Sequence, residues 1–77
     1  SENNIVIKSV ASERRTFSND AINLRAGPGV RYCLKRVLAD GLSKSVEVIG
    51  QSGLWRQILL EGDTYWVFRT LLASKKN

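Results

Sequence analysis

Apolar residues recur at every second position in short runs along the chain, and Gly, Asn, Asp and Ser cut the runs apart. No stretch keeps a 3.6-residue apolar period long enough to define an amphipathic helix, so the pattern predicts an all-β domain. Residues 4–10 are expected to form a first strand. Residues 11–20 are expected to be a polar loop carrying Arg14, Arg15 and the Asn19-Asp20 turn pair. Residues 21–25 alternate, with Ile22 and Leu24 on one face and Asn23 and Arg25 on the other, as a half-buried strand requires. Ala26-Gly27-Pro28-Gly29 then forces a sharp turn, because proline fixes its own φ and the flanking glycines accept values closed to other residues.

A further strand is expected around residues 33–38, ended by Asp40-Gly41. Val46 and Val48 open the next, which residues 50–53 terminate. Residues 55–60 and 64–68 flank the turn Glu61-Gly62-Asp63 as two aromatic and β-branched runs, the signature of a hairpin. Residues 69–72 are too few for an α-helix and suit a single 3-10 turn. Five or six short strands in one small chain cannot build two packed sheets, whereas one bent sheet closed into a barrel gives the apolar faces a common interior and removes its edges. Ile22, Leu24, Leu34, Val37, Val46, Val48, Ile58, Val67 and Leu71 are expected there.

The length of 77 residues fits one domain over residues 1–77, with a frayed basic tail at 73–77. No apolar run approaches the roughly 18 residues of a membrane span. With no histidine and a lone Cys33, a zinc set, a Cys-His pair or a Ser-His-Asp triad cannot be assembled, and neither a metal nor another cofactor is expected. Cys33 is expected to be buried and inert, since free cysteine is among the most buried residue types. The seven acidic residues are scattered, so the expectation is a protein that is not an enzyme. The net charge of +5 favours an anionic partner: nucleic acid, acidic lipid or an anionic wall polymer.

The ordered set Asn23-Leu24-Arg25-Ala26-Gly27-Pro28-Gly29, Tyr32, Val46-Glu47-Val48, Trp55-Arg56-Gln57-Ile58 and Trp66-Val67 with Leu71-Leu72 resembles bacterial SH3 domains. Trp-Arg-Gln-Ile followed by a turn and Trp-Val is similar to the subset found in exported proteins of Gram-negative bacteria. The sequence departs from that pattern at Cys33, where a proline is usual, at Tyr65, where a glycine is usual, and in longer segments at residues 42–45 and 11–20. The resemblance implies a small SH3-like barrel and a periplasmic, envelope or secreted location. It also implies a shallow groove between the first long loop and the loop before the central hairpin.

By the same resemblance Trp55 and Trp66 line that groove, where an indole offers a flat apolar face and one N–H donor to extended peptides or sugar rings. Tyr32 is a third candidate beside them. Arg14, Arg15 and Arg31, with Lys35 and Arg36, supply cations on or near the flanking loops. Asn23, Arg25, Gly27, Pro28 and Gly29 are expected to serve the turn itself, Arg25 by donating to carbonyls or a carboxylate. The implied partner is peptidoglycan or an envelope peptide or protein. Nucleic acid ranks lower, because acids are interspersed with the bases and no aromatic-rich RNA platform is evident. A scaffold role, including self-association, is the third class.

Overall fold

The computed structural model describes residues 7–73. They form an all-β domain: one six-stranded antiparallel sheet bent into a small SH3-like barrel, with two short 3-10 turns. The strands are β1 (Lys8–Thr16), β2 (Ile22–Arg25), β3 (Leu34–Leu38), β4 (Ser45–Ser52), β5 (Trp55–Leu60) and β6 (Asp63–Phe68). Across the sheet they run β1, β4, β5, β6, β2, β3. The sequence expectation for residues 4–10 falls partly on residues 1–6, which lie outside the described residues, as do residues 74–77 of the basic tail.

The 11–20 segment is not a loop over its first half. Lys8–Thr16 is one continuous strand, pairing Arg15 with Val46 and Arg14 with Glu47, and its register slips between Ser9 and Glu13. Its polar sequence fits its place at the sheet edge, where charged side chains discourage pairing with other chains and one face needs little apolar surface. The bulge breaks the alternation by which such a strand would be recognised. β3 is the opposite edge, and among the described residues no ladder joins it to β1. Between β1 and β3 the described residues thus leave an opening in the ladder.

The seam beneath that opening is stitched at two points. Phe17 and Leu72 form an isolated bridge that ties the end of β1 to the C-terminal 3-10 turn (Arg69–Leu71). At the other, Asp20 accepts from the first 3-10 turn (Gly41–Ser43): its carbonyl takes the Gly41 N–H at 2.9 Å and its Oδ1 takes that of Leu42 at 3.1 Å. A Cβ at Gly41 would run into the Asn19 carbonyl and Ile22, so only glycine permits this close crossing.

The core gathers Ile22 and Leu24 from β2, Val46 and Val48 from β4, Ile58 and Leu60 from β5, and Tyr65 and Val67 from β6. Phe17, Leu38 and Leu72 complete it, and these three, with Leu60 and Tyr65, were not among the expected core residues. Three expected members need correction. Val37 is 60% exposed and Leu34 48%. Directly paired residues share a sheet face, so Val37 opposite Asn23 points outward while Leu38 opposite Ile22 points in. Leu34 pairs with Arg25 beyond a register shift, which carries it out of the core face as well. Leu71 is half-buried against the core, and its neighbour Leu72 enters it instead.

Ion pairs decorate the outside of the β5–β6 turn. Glu61 accepts from Arg36 at 2.8 Å and Lys44 at 2.9 Å, and Asp63 receives Lys35 at 3.3 Å. Hydrogen bonds from Lys44 and then Arg36 hold the Glu61 carboxyl below its ordinary value, and the Thr64 N–H, then Lys35, does the same for Asp63. Lys35 Nζ also stands 4.8 Å from the centre of the Tyr65 ring. All of these pairs face solvent and contribute little each.

Two measurements check this arrangement. Ile58→Ala is expected to lower unfolding free energy by about 2 to 5 kcal/mol in urea titration, whereas Val37→Ala stays within about 0.5 kcal/mol of the parent. Equal losses at both would place Val37 inside. Because Glu61 and Asp63 have lowered folded-state values, their contribution is present above the unfolded carboxyl range and is lost as pH falls through the lower folded values. The urea midpoint should drop between about pH 6 and about pH 3, and Glu61→Gln should drop less over that interval. An identical slope in the variant would show the Glu61 pairs to be inert.

Candidate functional site

Alternation along the β5–β6 hairpin sends Ile58, Leu60, Tyr65 and Val67 inward, and it leaves Trp55, Trp66 and Phe68 on the outer face. Trp55 and Phe68 are directly paired across the strands, and their rings meet edge to face with centroids 5.4 Å apart and planes at 76°. This is the favourable geometry for two quadrupolar rings. Both side chains are half-buried, so each keeps a surface open to solvent.

The loop between β2 and β3 forms the facing wall. Arg25 Nη1 donates to the carbonyls of Val30 at 3.1 Å and Tyr32 at 3.0 Å, and the Ala26 N–H donates to the Cys33 carbonyl at 2.9 Å. The Tyr32 ring lies on the bare backbone of Gly27, in space that any Cβ at that position would occupy. Gly27 is thus required by a ring, whereas the sequence suggested a turn conformation. Gly29 also lies under the ring, and a Cβ there would stand 3.3 Å from it.

Between these walls runs a largely apolar concavity of about 690 Å³. Trp55 and Phe68 line one side, and Pro28, Val30 and Tyr32 line the other with Gly29 and Arg31. Val30 is 76% exposed, an apolar side chain set at the rim of an apolar groove. Pairing of an aromatic wall with a proline and a valine suits an elongated ligand with its own apolar or ring faces, and Arg31 adds one cation at the margin.

Three of the residues proposed from sequence for ligand contact therefore converge: Trp55, Tyr32 and Arg31. Trp66 does not join them. It is on the outer face beside Arg25 and Gln57 but only 4% exposed, so its indole presents no surface to a ligand. Arg14 and Arg15 are on β1, away from the groove. Arg14 is paired with Glu47 at 3.1 Å, and Arg15 donates twice to the Ala73 carbonyl, at 3.0 and 2.6 Å.

Asn23 is exposed, and its side chain makes no hydrogen bond among the described residues. Cys33, expected to be buried, is exposed. It directly precedes the edge strand β3. Phe68 and Val30 were missed by sequence reasoning. Phe68 carried a usable signal, being two positions beyond Trp66 on the same strand face and opposite Trp55 in the hairpin register.

Among the described residues, no three cysteine, aspartate or glutamate side chains gather as a metal ion would require. Nor is any helix there long and apolar enough to cross a membrane. Compared with models of protein families, with curated proteins and with solved structures, the chain finds no match.

The different exposure of the two indoles can be read by fluorescence. In Trp55→Phe, the remaining Trp66 emission should lie to the blue of the parent spectrum and resist quenching by acrylamide. If quenching persists at the parental level, Trp66 is the solvent-facing ring and the groove is misassigned.

Proposed function

We propose that this protein is a non-catalytic recognition module of the bacterial cell envelope, related to the bacterial SH3 domains, that holds an extended ligand in the Trp55–Phe68–Tyr32 groove. The ligand class is peptidoglycan, through its stem peptide or glycan, or an envelope peptide or protein. The observation that carries this reading is the edge-to-face Trp55–Phe68 pair facing a braced loop of Pro28, Val30 and Tyr32 across an open, mostly apolar cleft. Aromatic residues so placed offer stacking area with little side-chain freedom to lose on binding.

Bracing strengthens the case. Arg25 and the Gly27–Tyr32 packing fix the facing wall before any ligand arrives, which lowers the ordering cost of association. The ordered resemblance to bacterial SH3 domains, centred on Asn23 to Gly29 and the two tryptophan motifs, supports the envelope assignment. Broad nucleic-acid binding is less well supported, since Arg14, Lys35, Arg36 and Lys44 are each paired with a carboxylate on the surface.

Co-sedimentation with purified peptidoglycan sacculi tests the reading. The parent protein should be retained, and Trp55→Ala and Phe68→Ala, checked for folding by circular dichroism, should each lose about tenfold or more in affinity, the scale of a central aromatic contact. Retention that is unchanged in both variants, or no retention of the parent, removes the peptidoglycan form of the proposal.

A further inference from the structure

A second concavity, of about 490 Å³, lies where the C-terminal 3-10 turn meets the end of the barrel. Its lining is of a different kind: Arg15 from β1, Arg56 from β5 and Arg69 from the 3-10 turn, with Thr70 and Leu72. Three arginines from segments far apart in sequence thus line one concavity. Mutual repulsion opposes such a gathering, and Glu13, 3.8 Å from Arg15, is the one carboxylate with an ion pair into this set among the described residues.

Two of the three cations are held in place by neutral groups. Arg15 donates Nε and Nη2 to the Ala73 carbonyl, and Arg56 Nη1 donates to the carbonyls of Gly53 at 2.9 Å and Trp55 at 3.1 Å. Carbonyls orient a guanidinium without contributing an opposite charge, so both side chains are already positioned. Arg69 is exposed, and its side chain has no partner among the described residues. Thr70 lines the same rim.

From this the geometry points to an oxyanion seat at the barrel mouth, formed by Arg15, Arg56 and Arg69, that binds a phosphate dianion, free or as a monoester on a larger ligand. Arginine forks match the paired oxygens of phosphate, and among the described residues an excess of three cations over one ion-paired carboxylate favours a dianion over a singly charged carboxylate. The seat is distinct from the aromatic groove in lining and in chemistry. It does not depend on that groove's ligand, although Arg56 and Arg69 directly follow Trp55 and Phe68 in the chain.

Heteronuclear NMR titration of the full chain with inorganic phosphate, with glycerol 3-phosphate and with acetate provides the test. Both phosphates should give saturable shifts centred on Arg15, Arg56 and residues 69–72, and acetate should bind much more weakly. Arg69→Gln, which breaks no hydrogen bond of the fold, should weaken phosphate about tenfold, as loss of a charge-assisted contact does. Arg14→Gln removes the same charge from a paired site elsewhere and should leave binding nearly unchanged. Tighter binding of the ester than of inorganic phosphate would identify a ligand-borne phosphate as the natural occupant, and the reverse would identify the free ion. Equal weakening by Arg14→Gln and Arg69→Gln, shifts that never saturate, or acetate binding as tightly as phosphate would overturn the proposal. Retention on sacculi by the Trp55–Phe68 groove is read separately and does not bear on this outcome.

Discussion

The period-two alternation of the β5–β6 hairpin is the constraint on which both the core and the groove depend. Successive side chains must leave a strand on opposite faces. When Ile58, Leu60, Tyr65 and Val67 turn inward to fill the barrel, Trp55, Trp66 and Phe68 are obliged to stand outside it. Burial of the inward set supplies the driving force, and the aromatic wall follows from it without separate positioning. A one-residue slip in this hairpin would put the indoles in the core and the valine and isoleucine in water.

The opposite wall is built by a different device. Gly27 leaves its backbone bare so that Tyr32 can lie on it, and Arg25 reaches from β2 to hold the carbonyls of Val30 and Tyr32. Arg25 and Trp66 are themselves paired between β2 and β6. The residue that braces the loop is thus anchored to the hairpin that carries the other wall, and the width of the cleft is set by strand pairing. This coupling explains how a short chain presents one defined concave surface.

Most of the fold was legible in the sequence because five strands, β2 to β6, read as short runs containing apolar residues and bounded by glycine and turn residues. Of the candidate site residues, Trp55, Tyr32 and Arg31, named from the resemblance and the loop cations, line one groove. What the sequence concealed has physical causes. β1 is a charged edge strand with a register slip, so its second half looked like a loop although Glu13 to Thr16 pair with β4. Val37 and Leu34 carry apolar side chains outward on the other edge, where hydrophobicity alone misleads about direction. Trp66 shares the outer face with Trp55 but is closed off, a matter of neighbours that strand period cannot supply. The arginines at the barrel mouth come from three distant segments, and only the folded chain brings them together.

In the proposed function the outer aromatic face of the hairpin and the braced 28–32 loop act together as one binding surface. Chemical-shift mapping with soluble peptidoglycan fragments tests it most directly. Perturbations confined to residues 28–32, Trp55 and Phe68, with the Trp66 indole N–H unmoved, are the expected result. Perturbations concentrated on the exposed edges β1 or β3, with Trp55 and Phe68 silent, would contradict it.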